Sequence, residues 1–160
     1  MNNYTHYPSR KFDAGLPACL QAVIKRRRFM EPSQEEIAGI VRGNEANMDV
    51  LNKFLHSHGL RCEHTSPGKI SIPIFLETEL NNSQDVIAVW DYFKVFPVEG
   101  LDSAFGDGDA HFSLVESYNA INGNVRMTDS YERKRIVISD EVLGSAMNLP
   151  AHGFYLVGND

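Results

Sequence analysis

Phe12-Asp13-Ala14-Gly15-Leu16-Pro17-Ala18-Cys19-Leu20-Gln21-Ala22-Val23-Ile24 reads as a sharp turn running into a buried helix. Gly15 gives the corner its freedom. Pro17 suits a first helical turn, where its missing N–H costs nothing. Leu16, Leu20, Val23 and Ile24 recur at helical spacing, so the periodicity predicts a helix from about Leu16 to Arg28 with one apolar face. Lys25-Arg26-Arg27-Arg28 closes it, at the end of the helix dipole that favours cations. A turn that presents a side chain at a helix N-terminus is a natural seat for a nucleophile. Exposed N–H groups and the positive dipole end lower a thiol's pKa there and can hold an oxyanion.

Outward from this stretch, residues 1–12 are polar and aromatic and read as an extended lead-in. Ser33 and Glu36 form a capping box for a second helix through Ile37, Ile40 and Val41, with Gly43 as its stop. Asn47 caps a third, whose stripe is Val50, Leu51, Phe54 and Leu55 and whose end is Gly59. Leu60 to His64 is a short strand. Lys69 to Leu76 is apolar and β-branched and reads as a strand, with Pro73 marking an edge or a bulge. Glu77 to Lys94 is ambiguous and leans to helix. His111 to Tyr118 is a strand, Asn122-Gly123 is a hairpin signal, and Val125 to Ser130 returns. Arg135 to Ile138 is a third short strand. Ser139-Asp140-Glu141 caps a short helix to Met147, and Gly153 to Gly158 is the closing strand. Helices first and antiparallel strands second make the fold class α+β.

The 160 residues, 42% of them hydrophobic, are enough for one domain over 1–160 with a sizeable core. A net charge of −6 argues against a nucleic-acid partner, and the basic run Lys25 to Arg28 reads as a solvated helix end. Cys19 and Cys62 make no disulfide framework and fit a reducing compartment. The N-terminus has no apolar signal core, and no window approaches a membrane span. The expectation is a cytoplasmic protein with no membrane partner, secretion by a signal-independent route being left open. No metal or cofactor is expected. His56, His58 and His64 lack a zinc-like spacing with Cys or carboxylates. Asp102, Asp107 and Asp109 lack the terminal Glu of a calcium loop and read better as part of a lid beside His111.

Asp13-Ala14-Gly15-Leu16-Pro17-Ala18-Cys19-Leu20 resembles the Asp-Cys-Gly-Pro-Ala-Cys-Leu signature of the papain-like cysteine peptidases that remove double-glycine leaders from bacteriocins. Phytochelatin synthases carry a similar Cys-Gly-Leu-Ala start. His111-Phe112-Ser113-Leu114-Val115 followed by Val125 to Ser130 is similar to the family's His-Phe-Val-Val strand and its later Asp. Gly153-Phe154-Tyr155-Leu156-Val157 is similar to its last strand. The resemblance covers nearly the whole chain in order. It implies a papain-like fold, N-terminal helices packed on a C-terminal antiparallel sheet, and thiol-based acyl transfer: peptidase or amidohydrolase, deamidase or acyltransferase. The implied partner is a peptide or protein substrate, or an acyl group on a carrier.

By the same resemblance the nucleophile position is Ala14, where the family has Cys, and the match needs one extra residue at Leu16 or Pro17. His111 is the general base, and Asp129 holds its tautomer and stabilises its cation. Cys19 corresponds to a packing Cys of the family. Its place one turn past Leu16 favours burial, with a role as alternative nucleophile second. The family's oxyanion Gln has no counterpart, because no Gln precedes Gln21. Ser9, Asn2, Asn3 or backbone N–H groups stand as substitutes, and the oxyanion residue is unknown. Ala14 has two explanations: an inactivating replacement of Cys, or a natural pseudoenzyme that binds a peptide or partner protein without cutting it. A two-residue turn at Asn122-Gly123 sets Tyr118 opposite Met127 and Asp129 opposite Glu116, not His111. The triad therefore requires a wider loop or a bulge.

Overall fold

The computed structural model describes residues 1–7, 15–41, 47–97, 110–129 and 135–160. Ala14, Ser9, Gly43 and the 102–109 segment lie outside them. The elements are α1 (Gly15–Arg28), α2 (Gln34–Val41), α3 (Met48–His56), β1 (Leu60–Thr65), α4 (Ile72–Asn81), β2 (Asp85–Trp90), α5 (Tyr92–Val95), β3 (His111–Asn119), β4 (Asn124–Asp129), β5 (Ile136–Ser139), α6 (Asp140–Ser145) and β6 (Gly153–Asn159). The strands make one six-stranded sheet in the order β1-β6-β2-β3-β4-β5, antiparallel at every pairing. The class is α+β, although α4 and α5 interrupt the strands rather than precede them.

Short polar side chains start the helices. Ser33 Oγ accepts from Glu36 N at 3.1 Å, Asn47 Oδ1 from Asp49 N and Val50 N at 3.2 and 3.3 Å, and Ser139 Oγ from Val142 N at 3.1 Å. Each satisfies a backbone donor that the helix cannot pair and stabilises by about 1 kcal/mol. Gly59, at φ +66°, turns the chain out of α3, and Leu60 behind it is fully buried.

Two expectations fail between residues 69 and 94. The run around Pro73 is not a strand: it passes through a 3-10 turn, Pro67–Lys69, into α4, with Pro73 inside the first helical turn. Proline is tolerated there for the same reason as Pro17 in α1. Ile72, Leu76 and Leu80 repeat at four-residue spacing, and Leu76 is fully buried. The segment leaning to helix contains β2, all six residues of which are buried. Such a strand shows no alternation, so its pattern cannot be told from a buried helix.

The sheet is covered on both faces. Leu16, Leu20, Val23 and Ile24 of α1, with residues of α2 and α3, pack on Ile87, Val89, Leu114, Tyr155 and Val157. On the other face Leu76 of α4 and Leu143 of α6 meet Val86, Trp90, Val115, Met127 and Phe154.

The basic end of α1 corrects a third expectation: it is not a solvated helix end. Arg26 Nε lies 2.9 Å from Asp85 Oδ1, Arg27 Nε pairs with Asp85 Oδ2, and the Tyr4 hydroxyl donates to Oδ1. Asp85 is fully buried. Arg28 donates to the carbonyls of His58 and Gly59 at 2.7 and 2.8 Å. The guanidinium groups thus tie α1 to the start of β2 and to the end of α3.

Candidate active site

Three strand ends meet at the sheet end opposite Asp85: Trp90 finishes β2, His111 starts β3 and Asp129 finishes β4. Trp90 pairs with His111 in the β2–β3 ladder, and Ser113 pairs with Asp129 in the β3–β4 ladder. Directly opposed residues and alternate residues of one strand share a face, so His111, Ser113, Asp129 and Trp90 are brought side by side.

The loop and the bulge produce this register together. Asn119 pairs with Asn124, so residues 120–123 form the loop, wider than the two-residue turn expected, and Gly123 takes φ +70°. The ladder then shifts again between Val115 and Ser117. The bulged residue, Glu116, is buried, and its carboxylate accepts from Thr128 Oγ1 and lies 3.0 and 3.1 Å from Arg126 Nε and Arg135 Nε. Past the bulge, Leu114 faces Thr128, and Asp129 falls diagonally beside His111 instead of opposite Glu116.

His111 Nε2 lies 2.6 Å from Asp129 Oδ1, with the imidazole side chain 15% exposed and the carboxylate fully buried. Asp129 Oδ1 also accepts from Ser113 Oγ at 2.8 Å, and Ser113 Oγ accepts from Trp90 Nε1 at 3.1 Å. Tyr92 packs on the imidazole with ring centroids 4.5 Å apart, and Trp90 meets it edge-on at 5.8 Å. With Nε2–H donated to the carboxylate, the basic atom of the neutral ring is Nδ1. The arrangement can accept a proton at Nδ1 and stabilise the resulting cation through Asp129.

Asp129 also borders a cavity of about 10 Å³ with Ala18, Cys19 and Ala22 of α1, Thr5 and Tyr7 of the N-terminal segment, and Leu114 and Thr128. That space holds one water at most. Cys19 is 2% exposed, and burial first, then the charge of Asp129, pushes its thiol well above the ordinary range. A sulfur so held remains a thiol, whereas thiol chemistry runs through the thiolate. Cys62, on β1, is pushed up to about 12 by burial and by Glu63.

The structure brings His111 and Asp129 together; Ala14, immediately before α1 in the chain, lies outside the described residues. Asn2 is committed at the far end of the sheet, donating from its backbone to Glu116 O at 2.9 Å and from its side chain to Gln84 O at 3.4 Å. His56 pairs with Asp160, His58 Nδ1 is 3.2 Å from Phe54 O, and His64 Nε2 is 3.2 Å from His152 O. Among the described residues no three His, Cys, Asp or Glu side chains converge as a metal set, and no helix is long and apolar enough to cross a membrane. Sequence reading missed Ser113 and Trp90 as partners of the pair. Their types gave no signal; only the ladder register brings them together. No protein-family model matches the chain, and no curated protein is significantly similar to it in sequence.

Proposed function

We propose that this chain is a papain-like thiol acyl-transfer protein in which His111 is the general base, Asp129 its orienting carboxylate, and position 14 the seat of the nucleophile. The observation that carries the reading is the 2.6 Å bond from His111 Nε2 to a fully buried Asp129 that also borders α1. This is the base-and-orienter half of a catalytic triad. Position 14 directly precedes the helix whose residues Ala18, Cys19 and Ala22 line that border.

With Cys at position 14, Nδ1 of His111 takes the thiol proton and the thiolate attacks an amide or thioester carbonyl. The tetrahedral oxyanion collapses to a thioester as the imidazolium returns the proton to the leaving group. Water, or a second amine or thiol, then releases the acyl group. Ala14 supplies a Cβ without the sulfur, so the sequence given retains the base but not the attacking atom. The reading takes Ala14 as an inactivating replacement of Cys. Ala14 also favours the second reading, a papain-like module that holds an extended peptide or partner protein without cutting it.

The test restores the thiol. Ala14→Cys should create a thiol alkylated by iodoacetamide well below pH 8.5, with Cys19 untouched. Adding His111→Ala should abolish the early labelling. A candidate peptide or acyl-carrier panel, screened first for binding to the Ala14 form, then separates the two readings. A covalent thioester or turnover in the Ala14→Cys variant supports the enzyme. Equal binding without acylation supports the binding module.

A further inference from the structure

We infer that Ser113, aimed by Trp90, is a positioning residue that holds Asp129 in one orientation and thereby fixes the proton of His111 on Nε2. The catalytic use of that imidazole rests on the proposed function; the hydrogen-bond chain stands without it. An indole N–H can only donate. At 3.1 Å from Ser113 Oγ it occupies a hydroxyl lone pair, which directs the hydroxyl proton to Asp129 Oδ1, 2.8 Å away. The same carboxylate oxygen receives His111 Nε2 at 2.6 Å. Trp90, Ser113 and Asp129 are each 0% exposed, so bulk solvent does not compete along the chain. A small apolar residue at 113 would satisfy the packing as well as Ser. It would leave the indole donor unpaired in the core and remove the Ser113 donor from Oδ1.

The neighbouring elements do not mask this coupling. Tyr92 of α5 packs against the imidazole with the two rings tilted by 44°. Across the small cavity stand Cys19 of α1 and Tyr7 of the N-terminal segment. Burial and Asp129 push Cys19 well up, and burial and Glu31 push Tyr7 up to about 12. Both therefore stay neutral where an imidazole titrates.

Without the Ser113 donor, the negative charge of Asp129 falls more fully on the imidazolium and the carboxylate loses a group that orients it. The imidazole should then hold its proton to higher pH and lose its single tautomer. The experiment is a titration of the His111 ring by nitrogen NMR in the protein with Ala14 in place. Ser113→Ala should raise the midpoint by about half a pH unit or more and mix the two tautomers. Trp90→Phe should do the same by a smaller amount, and Ser113→Thr, which keeps the hydroxyl, should restore the parent values. A folded Ser113→Ala protein with an unchanged midpoint and tautomer would overturn the inference. If Ser113→Ala does not fold, an unchanged titration in Trp90→Phe overturns it instead. Repeating the series on Ala14→Cys separates the two claims. Shifted titrations with an inert thiol leave Ser113 as the positioning residue and remove the enzyme reading.

Discussion

Arg26 donates from Nε to Asp85 across 2.9 Å, joining the last turn of α1 to the first residue of β2. Asp85 is fully buried and also receives Arg27 and the Tyr4 hydroxyl, so one carboxylate gathers three elements of the chain. Asp85→Ala leaves two guanidinium groups without a counter-charge, and Arg27 has only 10% of its side chain exposed. The expected loss is about 3–5 kcal/mol. Urea unfolding should show it as a lower midpoint with an unchanged slope. A loss below roughly 1 kcal/mol would mean that the cluster is decoration.

Gly153 opens β6 at φ +118°, and a Cβ there would collide with the Thr65 carbonyl oxygen of β1. For Gly158, near the other end of β6, the nearest atoms to such a Cβ belong to the amide of the Gln84 side chain. Gly153→Ala is therefore expected to destabilise by about 3 kcal/mol or more, because backbone must move. Gly158→Ala should cost under about 1 kcal/mol, because a side chain can swing away. Thermal melts of the two variants side by side decide it; equal losses would contradict the packing described.

Both thiols are shifted upward, Cys62 to about 12 and Cys19 in the same direction, from an ordinary value of 9.0. The folded chain therefore keeps protons that the unfolded chain releases. Nothing is lost below the unfolded value. Above about pH 9 stability falls by about 1.4 kcal/mol per pH unit for each thiol, up to the folded value. Unfolding curves between pH 7.5 and 10.5 should fall more steeply for the parent than for a Cys19→Ala, Cys62→Ala variant. Matching slopes would show that the thiols are not shielded.

Asp129 is expected to govern the reactivity of a thiol placed at position 14. In the Ala14→Cys background, Asp129→Ala removes the acceptor for His111 Nε2, so the imidazolium loses its stabilising charge. The alkylation rate at pH 6.5 should fall roughly tenfold or more while the high-pH rate is kept. An unchanged pH profile would detach Asp129 from the chemistry.

Much of the fold is legible in local chemistry. Ser33, Asn47 and Ser139 announce helix starts because a capping side chain acts within three residues of itself. The apolar stripe of α1 is equally local. What the sequence hides is set by partners far along the chain. β2 carries no alternation because both of its faces are covered, and the Ile72 to Leu76 run forms a helix although its β-branched composition suggests a strand. At the site, His111 and Asp129 are recognisable as residue types in order. Their contact depends on a bulge where Glu116 meets Arg126 and Arg135, an ion cluster that no local pattern encodes. Ser113 and Trp90 are invisible as partners for the same reason: face and neighbour follow from register.

β6 lies between β1 and β2, bonded to both, and it is the last strand of the described chain. β1 and β2 touch each other nowhere in the ladder order, so until residues 153–159 arrive they are two separate ragged edges. A ribosome that has released β1 and β2 thus exposes an incomplete sheet until residues 153–159 follow, and closure waits on long-range pairing such as Leu60 with Asn159. His111 and Asp129 can pair earlier through their own hairpin, but the sheet beside them is joined only when β6 arrives.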